Sequence, residues 1–394
     1  MGVNELTEYL KTAFEYKNNG DYKQSIDYFY KALAIDNDST EIMIELASLY
    51  AKLCRYDRSI SFYEQILQKK PNDNEAKYQF AHLLKNTKDF KRAEQILLDL
   101  YNSGFNIEET AQELFYILVC NKKYGRIITS FNKYSKELKD SSVLYYVALA
   151  HSELGNKNTA EEFFRKSFKG DEKNILPGIE IANMLLEKGQ KDNARELALK
   201  LLKYAEDARI YYLLAEIEYS EGNIDNAIKY YSFAININPQ KAQYYFKLAL
   251  AFSLKGFFKE AEESYCKAIN LDSTNETYNY ALAYMYYITG KYDLAEKLND
   301  WLYSLNPDNT QSLALKILIL TENNNNQFVG RLIEKLEKAE DKDDFALYAQ
   351  AMYYAKLNLW EKAADTIAEA IRINTSSPEY NYQLARFNFE LGKT

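Results

Sequence analysis

"GNIDNAIKYYSFAININP" occupies residues 222–239, "GFFKEAEESYCKAINLDS" residues 256–273 and "GKYDLAEKLNDWLYSLNP" residues 290–307. The three stretches start 34 residues apart. Each opens on Gly, has an apolar or aromatic residue two places on, and a small residue three further, at Ala227, Ala261 and Ala295. Each is preceded by a second pattern: "YYLLAEIEYSEG" (211–222), "YFKLALAFSLKG" (245–256) and "YALAYMYYITG" (280–290). Apolar residues recur in all of these at spacings of three and four, the signature of amphipathic helices. The repeated unit is therefore a first helix, a tight turn, a second helix and a turn. Pro71, Pro239 and Pro307 follow second helices, where a missing N–H costs nothing.

The same phrase runs along the chain at 20–37, 54–71, 88–105, 155–172, 189–206 and 358–375. Units begin at Leu6, Thr40, Asn74, Glu108, Ser141, Ile175, Ala208, Ala242, Glu276, Thr310 and Asp344. The fourth unit has Ile127 where Ala is expected, and the tenth replaces Gly and its aromatic with "NNNN" (323–326), which the flanking helical patterns make an inter-helix turn. A fixed period of this length marks a solenoid, in which no unit buries its apolar face alone.

In the seventh unit Tyr211, Leu214, Ala215, Gly222, Ala227, Tyr231, Ala234 and Pro239 match the tetratricopeptide repeat pattern. The eighth matches through Tyr245, Leu248, Ala249, Gly256, Phe258, Ala261, Tyr265 and Ala268, and the ninth through Leu282, Ala283, Tyr286, Gly290, Tyr292, Ala295 and Pro307. The chain thus resembles the tetratricopeptide repeat family over residues 6–394. The resemblance implies an all-α, right-handed superhelical solenoid of helix-turn-helix repeats, with first helices lining a concave groove. The expected organisation is a tail over 1–5, then a single solenoid of about eleven repeats (6–377) and a half repeat (378–394). In that half repeat Tyr380, Phe387 and Leu391 fall on the stripe that a second helix would cover.

Composition narrows the function classes. The chain has 394 residues, 47% hydrophobic and 27% charged, which is enough to fold. Its net charge of −8, without a Lys/Arg cluster, argues against nucleic acid, which is bound by basic surface. The most apolar run, "LALKILIL" (313–320), is too short to cross a bilayer, so membrane insertion is not expected. The N-terminus lacks a signal-peptide pattern, and Cys54, Cys120 and Cys266 are too dispersed to pair, so a cytoplasmic chain with buried or half-buried free thiols is expected. His82 and His151 stand alone, with no metal-ligand spacing and no nucleophile or phosphate-loop motif. The expectation is no catalysis, no metal and no cofactor.

Binding is where the pattern points. In the family the second, fifth, ninth, twelfth and thirteenth positions of a unit project into the groove. The fifth position gives Tyr78, Tyr145, Tyr212, Phe246, Tyr280, Tyr348 and Tyr382. Other groove positions add Tyr219, Leu250, Tyr284, Tyr287, Phe345, Met352 and Phe389, and charged residues gather earlier at Glu41, Glu75, Glu109 and Lys85. Tyr offers large contact area at low entropy cost, although 36 tyrosines also serve plain packing. The chaperone-tail clamp of the family needs Lys and Asn where Leu10 and Phe14 stand, and no Asn ladder occupies the sixth position. The expected function is a protein–protein interaction scaffold or adaptor that binds a peptide or helix of another protein in an aromatic groove. Tyr280→Ala with Tyr284→Ala is expected to weaken binding and barely change stability. Two alternatives remain: a structural protein that self-associates through its C-terminal repeat, and the recruiting arm of a larger enzyme.

Overall fold

The repeat begins with its turn. Gly222, Gly256 and Gly290 take φ of 81°, 77° and 74°, a left-handed conformation that Gly adopts without a Cβ penalty. The residue after each closes the helix end: Asn223, Phe257 and Lys291 donate their N–H to the carbonyls of Glu218, Phe252 and Tyr286 at 2.8–2.9 Å. At the matching place in other repeats stand Cys54, Lys88, Lys122 and Asn358, with φ of 56°, 63°, 54° and 60°. An L-residue there costs about 1–2 kcal/mol. Lys88→Gly is accordingly expected to stabilise the protein by about 1 kcal/mol, seen as a raised denaturation midpoint.

Most first helices start on side-chain caps. Asp73 accepts from the Ala76 N–H, Asp140 from Ser142 and Val143, Asn275 from Tyr278, Asn309 from Ser312 and Asp343 from Ala346. Such caps satisfy amides that have no partner within the helix.

The computed structural model describes residues 2–323, 326–339 and 342–392, and holds 23 α-helices and no strand among them. They fall into two compact units, Met1–Tyr204 and Ala205–Thr394, where the sequence pattern shows no division. In the N-terminal unit the pairs are α1 (Gly2–Asn18) with α2 (Tyr22–Ile35), α3 (Thr40–Lys52) with α4 (Tyr56–Lys69), and α5 (Asn74–Asn86) with α6 (Phe90–Ser103). They continue as α7 (Ile107–Cys120) with α8 (Tyr124–Lys133), α9 (Ser141–Glu153) with α10 (Lys157–Gly170), and α11 (Ile175–Glu187) with α12 (Lys191–Leu201). In the C-terminal unit α13 (Ala208–Ser220) pairs with α14 (Ile224–Ile237), α15 (Ala242–Leu254) with α16 (Phe258–Leu271), and α17 (Glu276–Ile288) with α18 (Tyr292–Leu305). Then come α19 (Thr310–Glu322) with α20 (Asn326–Glu337), α21 (Asp344–Lys356) with α22 (Trp360–Ile373), and last α23 (Pro378–Glu390). Each unit is an all-α stack of repeat pairs.

Small residues set the packing inside each pair. Ala215, Ala249 and Ala283 of first helices and Ala227, Ala261, Ala295 and Ala363 of second helices are all fully buried, because helices cross closely only where one side chain is small. Where Ser replaces Ala, its hydroxyl finds a carbonyl: Ser25 Oγ donates to Ala13 at 2.8 Å and Ser59 Oγ to Ala47 at 2.7 Å. Tyr231 and Tyr265 fill the space between repeats and are buried.

Three expectations need correction. Residues 2–5 are the first turn of α1, not a tail. The cysteines Cys54, Cys120 and Cys266 are exposed rather than buried, since they fall at a turn or on the outward sides of α7 and α16. Tyr380 and Phe387 of α23 are buried against the repeat before them; what α23 leaves bare is Tyr382 and Phe389, at 64% and 78% exposure. In "NNNN", positions 324 and 325 lie outside the described residues.

Candidate functional site

The fifth-position rings of the C-terminal unit obey one rule. Tyr212 on α13 stacks on Tyr244 of α15 at 5.1 Å, Phe246 on α15 meets Tyr278 of α17 at 4.7 Å, and Tyr348 on α21 stacks on Tyr380 of α23 at 5.3 Å. The fifth residue of one first helix thus lies on the third residue of the next. These rings join successive repeats and are half-buried. Tyr219 and Leu250, further along α13 and α15, are half-buried against the core in the same way.

The rule breaks at α19. Its third residue is Ser312, which offers no ring to Tyr280. Tyr280 instead lies parallel to Tyr284, at 6.5 Å and 8°. Tyr284 also meets Tyr287 at 6.3 Å and, one repeat beyond its neighbour, Phe345 at 5.7 Å edge-on. Phe345 stacks on Tyr348 at 6.2 Å. The rings of α17 and α21 therefore close together over α19, whose Ala314, Leu315 and Leu318 are buried. Tyr280, Tyr284, Tyr287 and Tyr348 are brought into one cluster, with Met352 packed on its flank. Tyr284 is the open ring of the cluster at 38% exposure. Burial pushes the hydroxyls of Tyr280, Tyr287 and Tyr348 well above the usual tyrosine range, so all remain neutral donors. Tyr382 carries the pattern to α23 and has no ring laid upon it among the described residues.

In the N-terminal unit the expected residues stay apart. Tyr78 on α5 leans towards Phe105 at 6.4 Å, and Tyr145 on α9 packs on Tyr146 and Phe164 at 5.8 and 5.9 Å. The same unit holds a cleft lined by Lys85, Glu113, Tyr116 and Tyr146, with Tyr116 and Tyr146 edge-on at 6.3 Å. Glu113 is paired with Lys85 and accepts from His82 Nδ1 at 3.2 Å. Burial pushes the Glu113 pKa up, but hydrogen bonds from His82 and Lys85 outweigh it and hold the carboxyl below its usual value. The sequence pattern alone does not single out Tyr116 or Tyr146, which line this cleft. Tyr116 holds the ninth position of a unit whose second helix is degenerate, and that position was the available signal.

His151 stacks on Phe163 at 5.6 Å, and its pKa is lowered by burial. No group of three His, Cys, Asp or Glu side chains that could hold a metal occurs among the described residues.

Tetratricopeptide repeat models match residues 9–39, 55–105 and 242–275, and a further model of the same repeat matches 215–256. This chain is a tetratricopeptide repeat protein. A tetratricopeptide repeat protein from Parabacteroides merdae superposes with a TM-score of 0.50 and 15% identity, over 63% of this chain and 98% of that one. A chain of the APC/C hetero-tetramer Cut9–Hcn1 superposes with a TM-score of 0.50 and 14% identity, over 98% of this chain and 90% of that one. At these identities the likeness is one of fold. No curated protein matches the sequence. Tetratricopeptide repeats support a protein–protein interaction scaffold in general, and the family is generally non-catalytic. No helix among the described residues is long and apolar enough to cross a membrane.

Proposed function

We propose that this tetratricopeptide repeat protein is a non-catalytic cytoplasmic adaptor. It docks a peptide or helical segment of another protein on the aromatic face of its first helices, centred on Tyr284. The observation that carries this reading is the cluster of Tyr280, Tyr284, Tyr287, Phe345 and Tyr348, gathered from α17 and α21 with Tyr284 left open. Neutral phenols beside apolar ring faces suit a segment that needs both burial and backbone hydrogen bonds. The Cut9–Hcn1 structure is itself a hetero-tetramer, in keeping with repeats that assemble with other chains. The test is a photo-crosslinking amino acid placed at position 284 and, separately, at 233, where Phe233 of α14 is equally exposed at 38%. A protein adduct formed from 284 and not from 233 is expected. Equal adducts, or none from 284, would refute the placement.

A second reading rests on α23, where Tyr382 and Phe389 stand bare on one face. Self-association through that helix would show as a mass that grows with concentration in light scattering and falls to the single-chain value in Tyr382→Ala/Phe389→Ala.

A further inference from the structure

The aromatic cluster sits among carboxylates. Glu322 ends α19, Asp343 caps α21 and Glu379 lies in the first turn of α23. Glu379 is near enough to Tyr284 and Tyr348, Glu322 to Tyr287 and Tyr348, and Asp343 to Tyr280, that each raises the pKa of those hydroxyls further, beyond the larger effect of burial. Their hydrogen bonds within the protein are neutral: Asp343 accepts from the Ala346 N–H at 2.7 Å and Glu379 from Gln383 Nε2 at 2.7 Å. None of the three forms an ion pair among the described residues, whereas Lys316, on the same helix as Glu322, is bound to Asp300 at 2.7 Å and lies over Tyr303. Arg386 of α23 gives its Nη1 to Gln383.

Elsewhere the chain lays its own cations over its tyrosines: Lys31 lies 4.2 Å from the Tyr28 centroid and Lys133 4.9 Å from that of Tyr134. Among the described residues no Lys or Arg lies over Tyr280, Tyr284, Tyr287, Phe345 or Tyr348. Ring faces are electronegative, and unpaired carboxylates beside a partly desolvated patch repel one another and attract a cation more strongly than they would in water. An anionic or purely apolar segment leaves both features uncompensated.

We propose that the Tyr284 cluster receives a cationic side chain, Arg or Lys, from a basic peptide segment, held over the rings and paired with Glu322, Asp343 and Glu379. This rests on the docking reading above and names the chemistry of what docks.

The test is fluorescence anisotropy of the full chain with two labelled nine-residue probes, one alternating alanine with arginine, the other carrying neutral citrulline for each arginine. Binding of the arginine probe at least about tenfold tighter than the citrulline probe is expected. That preference should fall to near unity in Glu322→Gln/Glu379→Gln, with circular dichroism unchanged. It should survive in Glu361→Gln/Glu369→Gln, which removes the same charge from the exposed side of α22. Equal loss in both double variants would mean bulk attraction to an acidic protein and would overturn the proposal. Absence of binding by the arginine probe would also overturn it. Equal binding of both probes, abolished by Tyr284→Ala, would overturn cation selection and leave the docking face standing.

Discussion

Tyr231→Ala is expected to lower the unfolding free energy of the C-terminal unit by about 3–5 kcal/mol, as large-to-small changes at fully buried aromatic sites do. Tyr231 is 0% exposed on α14. Its ring lies 5.9 Å from Tyr212, and its hydroxyl donates to Glu216 Oε1. The other carboxylate oxygen of Glu216 accepts from Lys247 Nζ of α15 at 2.7 Å. One side chain thus ties two repeats, by volume and by a short polar chain. Tyr231→Phe keeps the volume and loses the hydroxyl, so a smaller cost of about 1 kcal/mol is expected. Urea denaturation checks both. Because a solenoid is held by contacts between neighbours, hydrogen exchange in Tyr231→Ala should rise over α13–α15 first. An unchanged midpoint would show that the repeats do not depend on this interlock.

Tyr348→Ala and Tyr382→Ala make a matched pair, since both residues hold the fifth position of a first helix. Tyr348 is half-buried, stacked on Tyr380 at 5.3 Å and on Phe345 at 6.2 Å. Its loss is expected to cost about 2–4 kcal/mol through the cavity and the broken stacks. Tyr382, 64% exposed, stacks on no ring among the described residues, and its replacement should stay within about 0.5 kcal/mol. Equal effects on the melting midpoint would dissolve the distinction between rings that join repeats and rings left free. The same reasoning revises the Tyr280→Ala/Tyr284→Ala expectation. Tyr280 packs on the core that holds Leu282 and Leu315, so that double change should cost stability, and Tyr284→Ala alone is the cleaner probe of binding.

The helical pairs were legible because a fixed period carries several constraints at once. Gly at 222, 256 and 290 announces a left-handed turn, and Ala at 227, 261 and 295 announces a close crossing. Those readings need no knowledge of what lies beyond the pair. The site was legible only as a set of positions. Periodicity places Tyr284 and Phe345 on first helices, but their 5.7 Å contact skips a repeat. It depends on α19 being aliphatic where its neighbours are aromatic. In α23 the spacing finds a stripe through Tyr380 and Phe387 without saying that this stripe turns inward; that follows from Tyr348 and Trp360, which wait to cover it. At 324 and 325 the inter-helix turn read from the flanking pattern falls outside the described residues. The division between Tyr204 and Ala205 left no mark, since neither Gly nor Pro stands there.

The most direct measurement is an affinity capture from native lysate with the intact chain, Tyr284→Ala and Phe233→Ala, each checked for unchanged helicity. The two replaced rings are equally exposed, at 38%, on a first and a second helix respectively. A protein partner retained by the intact chain and by Phe233→Ala, and lost with Tyr284→Ala, is the expected result. Retention by both variants, or loss from both, would contradict docking on the aromatic face of the first helices.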